Sequence, residues 1–169
     1  ILTGTVSLPP PALTLSTNSL SGWSTSAGVP SAPLTYTLSA SNLNSSLGLA
    51  MPAGYEGSLS GSGTYSSSLS LSPSNGLISA TTIYLRLASS NTAGSYSGSV
   101  VHSSTGLTSV NLAVSGTVTN PPPVLTLSVS SLTGFSAYSG SASTSQNYVL
   151  SGSNLTSAVG LTASAGFEI

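Results

Sequence analysis

An all-β fold built of antiparallel sheets is predicted by three features of the sequence. Period-two alternation recurs along the chain, as where Ile83, Leu85 and Leu87 alternate with Tyr84 and Arg86. Good helix formers never run together without Ser, Thr, Gly or Pro between them. Turn signals separate the alternating runs at short intervals: Pro52-Ala53-Gly54, Asn75-Gly76, Asn91 to Gly94, and Thr105-Gly106.

In chain order, the pattern predicts strands at 12–16, 33–40, 46–51, 55–60, 64–71, 81–88, 95–103 and 107–118. Tyr36 and Leu38 share a face of the second, and Leu69 and Leu71 share a face of the fifth. Val110, Leu112, Val114 and Val118 share a face of the last, interrupted by Gly116. The expected core is Leu13, Leu15, Trp23, Tyr36, Leu38, Leu49, Leu69, Leu71, Ile83, Leu85, Leu87, Val100, Leu112 and Val114. Seven or eight short strands in about 110 residues point to an antiparallel β-sandwich of immunoglobulin or fibronectin III type.

An internal repeat organises the chain. Pro9-Pro10-Pro11 recurs as Pro121-Pro122-Pro123, and sliding the sequence by 112 aligns 1–57 with 113–169 without a gap, with 28 identities in 57 pairs. Leu13/Leu125, Gly22/Gly134, Tyr36/Tyr148, Asn42/Asn154 and Glu56/Glu168 are among them, and Trp23 and Tyr55 pair with Phe135 and Phe167. The expected organisation is the last strand of one repeat at 1–8, a complete sandwich at 9–120, and the first half of the next repeat at 121–169. Half a sandwich exposes its inner face and its strand edges, so head-to-tail contact is expected. A continuing array could supply the missing part in the same chain. Alternatively Ile1, Leu2, Thr3, Gly4, Thr5, Val6 and Ser7, which match 113–119, could insert into a neighbouring copy as a self-assembly strand. The proline triplets read as stiff polyproline II linkers between units.

Composition narrows function sharply. The 169 residues include 42 Ser and 20 Thr, and only Glu56, Arg86 and Glu168 are charged. There is no Lys, Asp or Cys, and His102 is the sole histidine. Catalysis ordinarily needs convergent ionisable groups, so no enzyme is expected, and no cofactor or metal. Without a basic patch, nucleic acid is not an expected partner. No apolar run is long enough for a transmembrane helix, and Ile1–Ser7 has neither the basic nor the apolar region of a signal peptide. Positive mean hydropathy with almost no net charge is the reverse of a disordered composition.

Several phrases carry a resemblance: LTLS-x3-L-x-G followed by W or F, YxLSGSNL, PAGYE or AGFEI, ATTIYLRL, AGSYSGSVVHSS and NLAVSGTV. They resemble a repeat of large secreted bacterial surface proteins that carry immunoglobulin-like modules in tandem. The resemblance covers nearly the whole chain. It implies an extracellular or cell-surface structural protein, assembling with itself into a stalk or filament. An adhesin or carbohydrate-binding module is the competing reading, with Trp23, Tyr55, Tyr65 or Tyr84 as its sugar platform.

The remaining candidates have plainer readings beside the functional ones. Glu56 and Glu168 lie 112 residues apart in equivalent positions, which does not suit a glycosidase pair. Arg86 is expected on an outward strand face, with its stem on Tyr84 or its head on Glu56. His102 has no acid nearby in sequence and is a poor triad member. Asn44 and Asn154 begin N-glycosylation patterns at non-equivalent repeat positions, and the many hydroxyls offer acceptors for covalent O-linked glycans.

Overall fold

The computed structural model describes residues 9–169, in which the alternating segments form eleven strands and no helix. The strand expected from Ile1 to Ser7 lies outside the described residues. The chain divides into two compact units, with the break between Asn120 and Pro121.

The first unit holds β1 (Ala12–Leu15), β2 (Ser19–Ser26), β3 (Leu34–Ser41), β4 (Leu47–Ala50), β5 (Tyr55–Ser58), β6 (Ser68–Leu71), β7 (Ile78–Leu87), β8 (Gly94–Ser103) and β9 (Val110–Thr119). One sheet has the order β1-β3-β7-β5 and the other β2-β9-β8-β4-β6. Both contribute to one buried cluster: Tyr36, Leu38, Ile83, Leu85 and Leu87 from the first, Leu47, Leu49, Val100, Leu112 and Val114 from the second. The arrangement is all-β and consistent with a β-sandwich.

Two expectations needed correction. The Ser-rich stretch 19–26 is a strand that alternation did not reveal, and it runs parallel to β9, whereas antiparallel pairing alone was expected. Its register slips between Ser21 and Trp23, because Gly22 at φ +92° forms a bulge that few other residues accept. Opposite Trp23 stands Gly116, where a Cβ would press on the Trp23 Cβ at 2.8 Å and on a Leu87 methyl at 3.1 Å. That contact explains why glycine interrupts the apolar face of β9.

Every residue expected in the core is buried or half-buried. The four half-buried ones, Leu13, Leu15, Leu69 and Leu71, sit on β1 and β6, which are edges of their sheets. Leu43, Tyr55, Ile78 and His102 are also buried. The expected turn at Asn75-Gly76 is a two-residue reversal with both residues at positive φ, closed by mutual 2.9 Å hydrogen bonds between Ser74 and Leu77.

The second unit contains β10 (Val124–Leu127) and β11 (Leu150–Ser153), paired antiparallel. Its register, Val124↔Ser153 to Leu127↔Leu150, is that of Ala12↔Ser41 to Leu15↔Leu38 moved by 112. The Asn42 amide donates to the Pro10 carbonyl at 3.1 Å, and the Asn154 amide to the Pro122 carbonyl at 3.1 Å. Asn42 and Asn154 share φ of 59° and 56°, a backbone state that asparagine tolerates better than most residues. Segments matching β2, β4 and β5 are not strands here. In the first unit those strands pair with β9, β6, β8 and β7, all of which lie after residue 57. Only the β1–β3 ladder has both its members within 9–57, and it is the one that recurs.

Leu85 is fully buried on a strand paired at both sides. Leu85→Ala should destabilise the first unit by about 2–5 kcal/mol, read from the urea midpoint of unfolding. A negligible cost would place Leu85 on the wrong face.

Candidate functional site

Most ionisable and aromatic groups of the first unit fall into three clusters held by structural partners. On the β5–β7 ladder, Glu56 and Arg86 are directly opposed, and the Arg86 Nε donates to a Glu56 carboxylate oxygen at 2.7 Å. The guanidinium carbon lies 3.7 Å from the centroid of the Tyr65 ring, over its face. Thus Arg86 meets Glu56, as the sequence allowed, and its guanidinium stacks on Tyr65. Both charged side chains keep about a quarter of their surface in water. The pair therefore acts as a cross-strand clip worth no more than about 1 kcal/mol.

The second cluster runs through the core. Tyr36 on β3 and His102 on β8 belong to different sheets and meet at 2.7 Å between hydroxyl and Nε2. His102 Nδ1 lies 2.9 Å from the Val110 carbonyl, which can only accept, so the ring proton sits on Nδ1. Nε2 is then the acceptor, and the Tyr36 hydroxyl donates to it. Burial pulls the His102 pKa below its ordinary value, against a smaller opposing effect of the Val110 and Val100 backbone. Burial also drives the Tyr36 hydroxyl well above the usual tyrosine range.

Two further aromatic residues tie sheet to sheet. Trp23 on β2 donates its indole N–H to the Leu85 carbonyl on β7 at 3.2 Å. Tyr55 on β5 donates to the Tyr96 carbonyl on β8 at 3.1 Å, and burial pushes its hydroxyl up to about 12. The Trp23 and Tyr55 rings meet edge to face, 5.2 Å apart. Both are buried, so neither offers a sugar platform. Sequence reasoning placed Trp23 in the core but missed Tyr55 and His102. Alternation from Val100 reaches His102 along its own strand, whereas Tyr55 is reached only through its pairing opposite Leu87.

Among the described residues, no group of three or more His, Asp or Glu lies together as a metal site would require. Asn44 is exposed, whereas the Asn154 amide is held on the Pro122 carbonyl. Of the linker prolines, Pro10 and Pro122 supply the carbonyls that receive Asn42 and Asn154. Pro9 and Pro10 are exposed and Pro11 half-buried, while Pro121 is half-buried and Pro122 and Pro123 exposed. In the second unit, Leu127, Leu132, Phe135, Tyr148 and Phe167 line an open groove of about 690 Å³. The Phe135 and Phe167 rings keep the edge-to-face contact of Trp23 and Tyr55, at 5.4 Å. Glu168 also reaches this groove.

No protein-family model matches the sequence, and no curated protein is detectably similar to it.

The buried histidine gives the fold a signed pH dependence. Its folded pKa is depressed, so the unfolded chain takes the proton first as pH falls. Stability should be level above about 6.5 and decline below it, until pH passes the folded pKa. His102→Phe should flatten the decline between pH 7 and 5 in thermal unfolding. An unchanged slope would mean that the histidine is not held neutral. Tyr36→Phe should cost about 1–3 kcal/mol, because it leaves Nε2 buried without a donor.

Proposed function

We propose that this chain is part of an extracellular structural protein, in which a 112-residue immunoglobulin-like sandwich repeats in tandem to form a stalk or a head-to-tail filament. The observation that carries the reading is the recurrence of one ladder. β10–β11 repeats the pairing of β1–β3 at an offset of 112, directly after a recurring proline triplet.

The sheet orders support the immunoglobulin-like part of the reading. β1-β3-β7-β5 beside a sheet that contains β9-β8-β4 can be aligned with the A-B-E-D and G-F-C plan, with β2 and β6 as additional strands at the two edges of the second sheet. The resemblance to tandem modules of secreted bacterial surface proteins points the same way.

Chemistry favours structure over catalysis. The Glu56–Arg86 pair clips two strands, and the Tyr36–His102 pair is enclosed in the core. Neither presents a reacting group to a substrate. The hydroxyl-rich surface suits self-association, because it lacks the charge repulsion that keeps proteins apart. Covalent glycans on some of those hydroxyls would hydrate it. The adhesin reading loses two of its four aromatic candidates to the burial of Trp23 and Tyr55, while Tyr65 and Tyr84 are half-buried.

Each unit contributes a sandwich roughly 30 Å long, and three prolines add about 9 Å. Negative-stain images of the protein should show rods or filaments with an axial step of about 40 Å. Dispersed globular particles without an axial repeat would contradict the proposal.

A further inference from the structure

We infer that the open face of residues 121–169 is a docking surface for a polypeptide with the strand chemistry of residues 58–119, the second half of the same repeat. The inference rests on reading 121–169 as the first half of a repeat unit, and it names what that half binds.

Three observations of different kinds meet on this face. The first is apolar surface. Tyr148 and Phe167, which line the groove, are 38% and 57% exposed, while their counterparts Tyr36 and Tyr55 are 2% and 3% exposed. The second is an open backbone edge. β3 is hydrogen-bonded to β1 on one side and β7 on the other, but among the described residues β11 pairs only with β10. The third is charge. Glu168 occupies the position of Glu56, whose partner is Arg86, and the sequence holds no second Arg and no Lys.

The first unit specifies the occupant, because it displays the same face covered. Beside β11 belongs an antiparallel strand with aliphatic residues at alternate positions, as Ile83, Leu85 and Leu87 stand on β7. That strand carries an arginine opposite Glu168, as Arg86 stands opposite Glu56. A histidine on a neighbouring strand meets the Tyr148 hydroxyl, as His102 meets Tyr36. Phe135 and Phe167 replace Trp23 and Tyr55, so the occupant needs no carbonyl acceptors for an indole or a phenol there.

A second copy of this sequence does not meet the need. Residues 9–57 and 121–169 are two first halves, and 58–119 is one second half. That second half is already engaged by 9–57. Exchange between copies leaves one first half uncovered for every copy added.

The test extends the 169-residue chain at Ile169 by a repeat of its own residues 58–119. The unextended chain should bind a hydrophobic dye, and the extension should abolish that binding. The extended chain should also gain an unfolding transition beyond that of the first unit, whose own unchanged transition shows that the product is folded. Glu168→Gln should lower the midpoint of the added transition and leave the unextended chain unaffected. Dye binding that persists in the extended chain, with no added transition, would overturn the inference. So would an unextended chain that sediments as a dimer and binds no dye, since a second copy would then be the occupant. A completed second unit that forms no rods in microscopy would keep this inference and remove the array.

Discussion

A β-strand cannot satisfy its own backbone, and the whole molecule follows from that. A helix closes its hydrogen bonds within one segment, whereas a strand borrows every donor and acceptor from a neighbour. Here the neighbours are far apart in sequence. β3 pairs with β7, β5 with β7, and β2 with β9, so the first half of the unit takes its order from the second. Where that second half is present, nine strands form around a shared core. In 121–169, only the single ladder internal to the first half remains.

The near absence of charge sharpens this dependence. With one arginine and two glutamates, long-range electrostatics contribute little, and Glu56–Arg86 is a local clip. Cohesion comes from buried aliphatic residues, backbone ladders and a few polar bonds that cross between the sheets. Trp23 to Leu85, Tyr36 to His102 and Tyr55 to Tyr96 each join one sheet to the other. These bonds fix how the sheets face one another, which apolar packing alone leaves loosely defined. Two of the four aromatic residues that the sequence offered as a binding surface, Trp23 and Tyr55, are fasteners of the core.

The sequence made much of this legible, for physical reasons. Strands with one buried face announce themselves by alternation, and β3, β7, β8 and β9 were readable in this way. The repeat was readable because glycines at positive φ, such as Gly22 and Gly134, and the asparagines Asn42 and Asn154 are demanded by backbone shape and recur with it. β2 was not legible: its bulge at Gly22 breaks the alternation, and serines fill its exposed positions. The parallel pairing of β2 with β9 was hidden because register is a property of two segments. Tyr55 looked like a surface candidate because burial of a polar tip depends on a partner from the opposite sheet.

Amide hydrogen exchange on the 169-residue chain tests most directly the claim that the first half of a unit depends on the second. Residues 34–41 and 150–153 contain matching sequence, but among the described residues β3 is paired on both edges and β11 on one. The expected result is strong protection through β3, β7, β8 and β9, with exchange in β10 and β11 faster by orders of magnitude. Equal protection of β3 and β11 would contradict the account, because the half-unit would then hold its structure without its complement.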